Sequence, residues 1–344
     1  MKVEGRSGVP RLPVGVIFVR NMDTENLIEI QPVNGSDPLA KKLPVGPLAV
    51  VGASFLWSLD GYLRRSLYSL PSAVIVFWEH LLGGVVALLL VGRSLHKFKD
   101  FTRKQWWSIV GVSLLSGALG TMFYTQALTM VNYIPFSVVV LLQQLQPLFT
   151  IGLAKIVLKE RIDWRFMVIA IIALLAAYGV SFPTLRVNLA TGTGTVVAAL
   201  FAIAAAASWG SSTVLSKFTL KNTSHLHVTA ARFWLTPFFA LAIALMFGNG
   251  NQLFAVTSGQ FGTLLAITFS TGFAALVLYY FGLQKIPASV STILELTWPI
   301  SALLVGSFVF HDHLTLSQWI STSILIGTMT YLGQHRSELE PAVA

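Results

Sequence analysis

The chain has 344 residues, of which 54% are hydrophobic and only 11% charged, with a mean hydropathy of +0.71. A soluble domain carries about 25% charged residues, so a soluble globular enzyme is excluded and an integral membrane protein is implied. Having no cysteine rules out disulfides, thiolate chemistry and thiolate-bound metal, and the net charge of +9 reads as positive charge retained on cytoplasmic loops rather than a nucleic-acid surface.

Residues 1–45 differ from the rest. They hold six basic and five acidic residues with scattered Pro, Gly and Asn, and their one apolar piece, Val14 to Val19, is far too short to span a bilayer. They read as a disordered cytoplasmic tail, with Met22 as an alternative start. From Gly46 onward the apolar runs predict ten spans, at 46–63, 71–92, 105–127, 134–158, 164–182, 193–215, 226–247, 262–283, 287–310 and 316–334. Each is near the roughly 20 residues that cross about 30 Å of hydrocarbon as a helix. The runs are continuous rather than alternating, so the spans are helices and not barrel strands. A short cytoplasmic tail, 335–344, closes the chain.

With the N-terminus inside, fifteen Lys and Arg fall on the cytoplasmic side, concentrated at 93–104 and 155–165, against Arg64, Arg65 and Arg186 outside. That bias places both termini in the cytoplasm, in what reads as a cell inner membrane. Arg64 and Arg65 are the awkward pair, placed at the outer rim or facing a polar vestibule.

One segment is written twice. Ile134 to Arg161 returns 152 residues later as Ile286 to His313. In both copies Ile-Pro is followed twelve residues on by a second proline, Pro135 to Pro147 and Pro287 to Pro299, and an acid closes each copy, Glu160 and Asp312. Trp57 matches Trp209 and Gly120 matches Gly272 at the same offset. The predicted fold is therefore all-α, with ten transmembrane helices as two five-helix repeats, 46–182 and 193–334. Five is odd, so the second repeat enters the membrane from the opposite side, the inverted pattern of secondary transporters.

Ten spans as five plus five, a tryptophan early in spans one and six, and a fourth span reading LQQLQPLFTIGLAKIVLKER together resemble the EamA-type branch of the drug/metabolite transporter superfamily. The resemblance covers about residues 46 to 334. Family members tend to carry Leu-Glu-Pro in the fourth and ninth spans and a Gly-Glu turn after them; here Gln146 and Trp298 precede the prolines, and the turns read Lys159-Glu160-Arg161 and His311-Asp312-His313. The resemblance implies a ten-helix transporter of small metabolites or drugs, often an exporter, with a central cavity between the halves. It implies no cofactor, and a monomer or homodimer in the bilayer.

Charged groups inside a span cost at least about 2.5 kcal/mol each, so they face a cavity or a partner. Glu79 lies about 12 Å into span two and Arg232 about 9 Å into span seven from the other face, close enough to bridge if the helices adjoin. Their reading is open between an ion pair, a snorkelling arginine and a solute contact. Glu295 has no basic partner in the matching copy, where Gln143 stands, and suits a proton site or a hydrogen bond to a neighbouring helix. Asp60 precedes Arg64 by one turn and is expected to pair with it locally. Gln143, Gln144 and Gln146 point in different directions, so at least one reaches the interior. Trp57, Trp209, Tyr124, Tyr279, Tyr280 and Trp298 fall inside spans and are candidate cavity walls, suited to amphipathic or organic-cation solutes. Pro147 and Pro299 are candidate hinges.

No metalloprotease, prenyl-diphosphate or phosphate-loop motif is present, which argues against an enzyme, and the 311–313 triplet reads as a polar turn rather than a metal site. Partners are thus a small solute, protons as a candidate coupling ion, and lipid. A phosphate-ester or nucleotide-sugar antiporter is the alternative within transporters, weakened by Arg232 being the one basic residue well inside a span. A channel or receptor is the further alternative.

Overall fold

The computed structural model describes residues 44–130, 142–182, 193–301 and 314–335, with residues 139, 184 and 304 between them. The expected N-terminal tail, Pro135, Asp312 and the tail from residue 336 lie outside the described residues.

The described chain is helical throughout. Ten helices correspond to the ten expected spans: α1 Val45–Trp57, α2 Ser72–Val91, α3 Arg103–Thr129, α4 Gln146–Leu158, α5 Trp164–Ser181, α6 Thr193–Leu220, α7 His225–Met246, α8 Ser258–Leu283, α9 Ala288–Leu294 and α10 Leu316–Gln334. Their starts are chemically marked. Thr102, Thr257 and Thr315 each accept from the backbone of a glutamine three residues on, whose side chain reaches back, and Asp163 accepts from Phe166 N. These caps satisfy orphan amides where the chain enters the apolar layer.

Packing obeys an exchange of the two halves. α2 packs on α7 and α5 on α10, each the counterpart of the other. α1 packs on α8, and its mirror, α6, packs on α3. α4 and α9 meet each other and also contact α6 and α1 respectively. Five helices per half then set the two repeats antiparallel across the membrane. Close approach relies on missing side chains. A Cβ on Gly210 of α6 would sit 2.8 Å from Gln146 O of α4, and one on Gly282 of α8 would sit 2.7 Å from Gly46 O of α1.

Two departures from straight helices recur in both halves. α3 and α8 carry π-helical stretches, Ser113–Gly120 and Thr268–Gly272, a widening of the helix that often marks functional sites. The helix around residue 143 breaks into a turn at Gln144–Leu145, and α9 breaks at Glu295–Leu296 before helix resumes at 297–301. Pro147 sits in the first turn of its resumed helix, where a missing N–H costs nothing, and Pro299 lies in the matching resumed turn. In the first half alone, the expected first span breaks after Trp57, with a separate turn of helix over Asp60–Arg64, whereas α6 is continuous.

Candidate solute-binding cavity

A cavity of about 170 Å³ lies between the two repeats, walled by residues from α1 to α4 and α6 to α9. It is bordered by Glu79, Arg232, Glu295, Gln143 and Gln144, by the aromatics Trp57, Trp209, Tyr124, Tyr280 and Trp298, and by Pro147 and Pro299. Asp60, Arg64, His80, Gln146 and Tyr279 complete its polar and aromatic lining.

The charged groups are not paired as the spacing suggested. Glu79 does not meet Arg232. Arg64, only 3% exposed, turns inward and donates from Nη2 to Glu79 Oε2 at 2.7 Å and from Nε to Asp60. Asp60 also accepts from Thr271 Oγ1 at 2.7 Å, which ties the cluster to α8. The local pair expected at the rim is therefore a buried triad of two carboxylates on one guanidinium, while Arg65 is the exposed member of the arginine pair. The break after Trp57 puts Asp60 and Arg64 on their own turn of helix, from which Arg64 reaches Glu79 of α2.

Arg232 has neutral partners. Its Nη1 donates to Tyr280 Oη at 3.1 Å and its Nη2 to Ser116 Oγ at 2.9 Å, while Nε, buried at the cavity wall, has no acceptor among the described residues. Tyr280 is itself paired with Ser216 Oγ at 2.8 Å. His80 stacks on Phe233 with ring centroids 4.8 Å apart and Nδ1 bonded to Val76 O, so it packs rather than pairs with Glu79.

Glu295 sits in the break of α9 with no basic partner among the described residues, but it is held by neutral donors. Gln146 Nε2 and Tyr279 Oη each lie 2.7 Å from its oxygens, and Gln143 Nε2 donates to Gln146 Oε1 at 3.1 Å. Tyr279 also meets Thr213 Oγ1 at 3.1 Å. The network joins α4 of one repeat to α8 and α9 of the other. Gln144 turns away from it and donates to Ser181 of α5 at 3.2 Å. Trp57 packs on Tyr279 at 5.0 Å between centroids and Trp209 on Tyr124 at 5.2 Å, so the duplicated tryptophans face equivalent tyrosine-bearing walls. The duplicated glycines serve this packing: a Cβ on Gly120 would strike the Trp209 ring at 2.8 Å, and one on Gly272 would lie 3.2 Å from Glu79 Oε1.

At one end of the bundle, away from these groups, the acid that closes the repeated segment has a task of its own. Lys159 adopts the left-handed conformation, φ 57°, and turns the chain so that Glu160 faces α9. This conformation favours glycine, which accounts for the glycine that family members tend to carry there. Glu160, 5% exposed, accepts from Ala288 N at 2.7 Å and Ser289 N at 3.1 Å. It caps the start of α9 from the other repeat.

Two repeats related by exchange, two helices broken at matching positions and a cavity between the repeats fit a membrane transporter. The chain belongs to the EamA-like transporter family, which matches residues 44–182 and 196–332. It is 32% identical over 283 residues to the riboflavin transporter ImpX of Fusobacterium nucleatum, covering 82% of this chain and 94% of that protein. It is 25% identical over 273 residues to a riboflavin transporter of Brucella anthropi, covering 76% and 88%, and 24% identical over 258 residues to an uncharacterized transporter of Synechocystis, covering 71% and 70%. A solved structure described as "Crystal structure of protein" superimposes with a TM-score of 0.68 over 86% of this chain and 99% of that one at 16% identity, a likeness of fold.

Proposed function

We propose that this multi-pass membrane protein carries a flavin-class solute, a neutral fused aromatic ring bearing a polyol, by alternating access of the two repeats. The observation that carries this reading is the wall chemistry. Trp57, Trp209 and Trp298 with Tyr124, Tyr279 and Tyr280 offer faces for a planar ring, and Gln143, Gln146 and Glu295 offer hydrogen bonds for hydroxyls. The riboflavin transporters among its relatives support the same solute. The Lys and Arg distribution supports both termini in the cytoplasm, and a cell inner membrane is the proposed location.

Glu295 is the proposed proton-coupling group, because it bonds neutral donors in the break of α9, whereas Glu79 is paired with the Arg64 guanidinium. Export, which the family resemblance implies, is the proposed direction, with exchange against protons through this carboxylate as its proposed drive. Purified protein in proteoliposomes tests the whole reading through the fluorescence of riboflavin. Riboflavin should cross faster than in protein-free vesicles, and a pH gradient should drive its accumulation against its own gradient. Glu295→Gln should keep exchange of riboflavin across the membrane but lose the pH-driven accumulation. If Glu295→Gln and Glu79→Gln both accumulate riboflavin like the native protein, neither carboxylate couples.

A further inference from the structure

Arg232 is the one cation on the cavity wall whose charge no acid answers among the described residues. It is 8% exposed, its two terminal nitrogens bond hydroxyls, and its Nε–H is left without an acceptor. A buried donor left unmade is costly, and a buried guanidinium with only neutral partners more so. The side chain lines the cavity, so an acceptor arriving with the solute would answer its charge. Arg64 also keeps one buried nitrogen, Nη1, without an acceptor, but its charge is already answered by the carboxylates of Asp60 and Glu79.

We infer that Arg232 binds the carbonyl edge of the flavin ring and thereby both orients the solute and favours its unphosphorylated form. The inference rests on the flavin reading above. A guanidinium presents fixed planar donors that match conjugated carbonyl oxygens. Tyr280, packed on Tyr279, holds the guanidinium from one side and Ser116 from the π-helical stretch of α3 holds it from the other, so its free N–H has a fixed direction. With that edge at Arg232, the polyol extends toward the amide and carboxylate network of Gln143, Gln146 and Glu295.

A phosphate would also answer a guanidinium, and charge decides between the two. The cavity wall carries three carboxylates, Asp60, Glu79 and Glu295, against two guanidiniums, Arg64 and Arg232. A phosphomonoester brings close to two more negative charges at neutral pH. The neutral ring adds none.

The test is binding of three flavins to the purified protein, read by quenching of flavin fluorescence: riboflavin, its 5′-phosphate, and lumiflavin, which has the ring but a methyl group in place of the polyol. Native protein should bind riboflavin at least about tenfold tighter than the phosphate. Arg232→Gln should weaken riboflavin about ten- to a hundredfold, from the loss of a hydrogen bond to a charged donor, and should weaken lumiflavin by the same factor. Arg232→Lys should recover part of the loss. Tyr280→Phe keeps the guanidinium but removes one of its two anchors and should weaken both ring compounds severalfold, which keeps the inference testable if Arg232→Gln does not fold. Failure of native protein to bind riboflavin at all defeats the flavin reading and this pose with it. Native binding of riboflavin unchanged in folded Arg232→Gln, a loss confined to riboflavin and absent with lumiflavin, or equal affinity for the phosphate overturns the pose alone.

Discussion

Replacing Arg64 with methionine tests whether the buried triad holds the fold. The native side chain is 3% exposed and joins Asp60 to Glu79, which are themselves largely buried at 14% and 6% side-chain exposure. The substitution leaves two carboxylates facing one another with Thr271 Oγ1 as the remaining donor on Asp60. Breaking a buried ion pair from one side costs about 3–5 kcal/mol, because an uncompensated charge is left behind. At roughly 2 °C per kcal/mol for a chain above 250 residues, the melting midpoint of the detergent-solubilised protein should fall by about 6–10 °C. Most of that cost is the orphaned charge, not the lost attraction. Adding Asp60→Asn and Glu79→Gln to Arg64→Met should therefore recover most of the midpoint, since replacing a whole buried ion cluster with neutral groups is often close to neutral. Thermal scans by fluorescence-detected size exclusion read all three proteins. A single variant melting within about 2 °C of native, or a triple variant no better than the single, would refute the reasoning.

Two further substitutions probe the contacts between repeats. Glu160→Ala removes the acceptor of Ala288 N and Ser289 N and should destabilise by about 1–3 kcal/mol, read as a lower midpoint that Glu160→Gln partly restores. Gly210→Val places its Cβ 2.8 Å from the backbone oxygen of Gln146 and should cost about 1–3 kcal/mol or more, with a smaller monodisperse peak after solubilisation. Val at Gly152, where a Cβ meets nothing within 4 Å, is the control and should behave as native.

The spans were legible because a bilayer imposes a simple rule. Any helix must bring about 20 apolar residues, and α5, α7 and α10 begin and end within one residue of the expected bounds. The cavity residues were legible for the related reason that polar groups inside such runs have nowhere else to go. Partnership was not. Whether Glu79 meets Arg232 or Arg64 depends on how helices are rotated and where they break, and hydropathy says nothing of either. The break after Trp57 had a faint signal in Ser58-Leu59-Asp60, polar groups where the span should still be apolar. The sequence leaves Glu295 without a basic partner and allows a hydrogen bond to a neighbouring helix, but it does not say that Tyr279 and Gln146 are the donors. In the sequence Glu160 stands out only as the acid that closes the repeated segment. Its role needed the start of α9, 128 positions away in the chain, to be beside it.

The carboxylate of Glu160 takes two backbone amides and the Ser289 hydroxyl at the same time. A seam sewn with many weak apolar contacts breathes, opening a little at one place and then another. A seam fastened by a single anion on clustered donors has few half-open states, because each bond given up leaves a dry group bare. Parting Glu160 from the start of α9 therefore strips three donors, Ala288 N, Ser289 N and Ser289 Oγ, of their acceptor in one step.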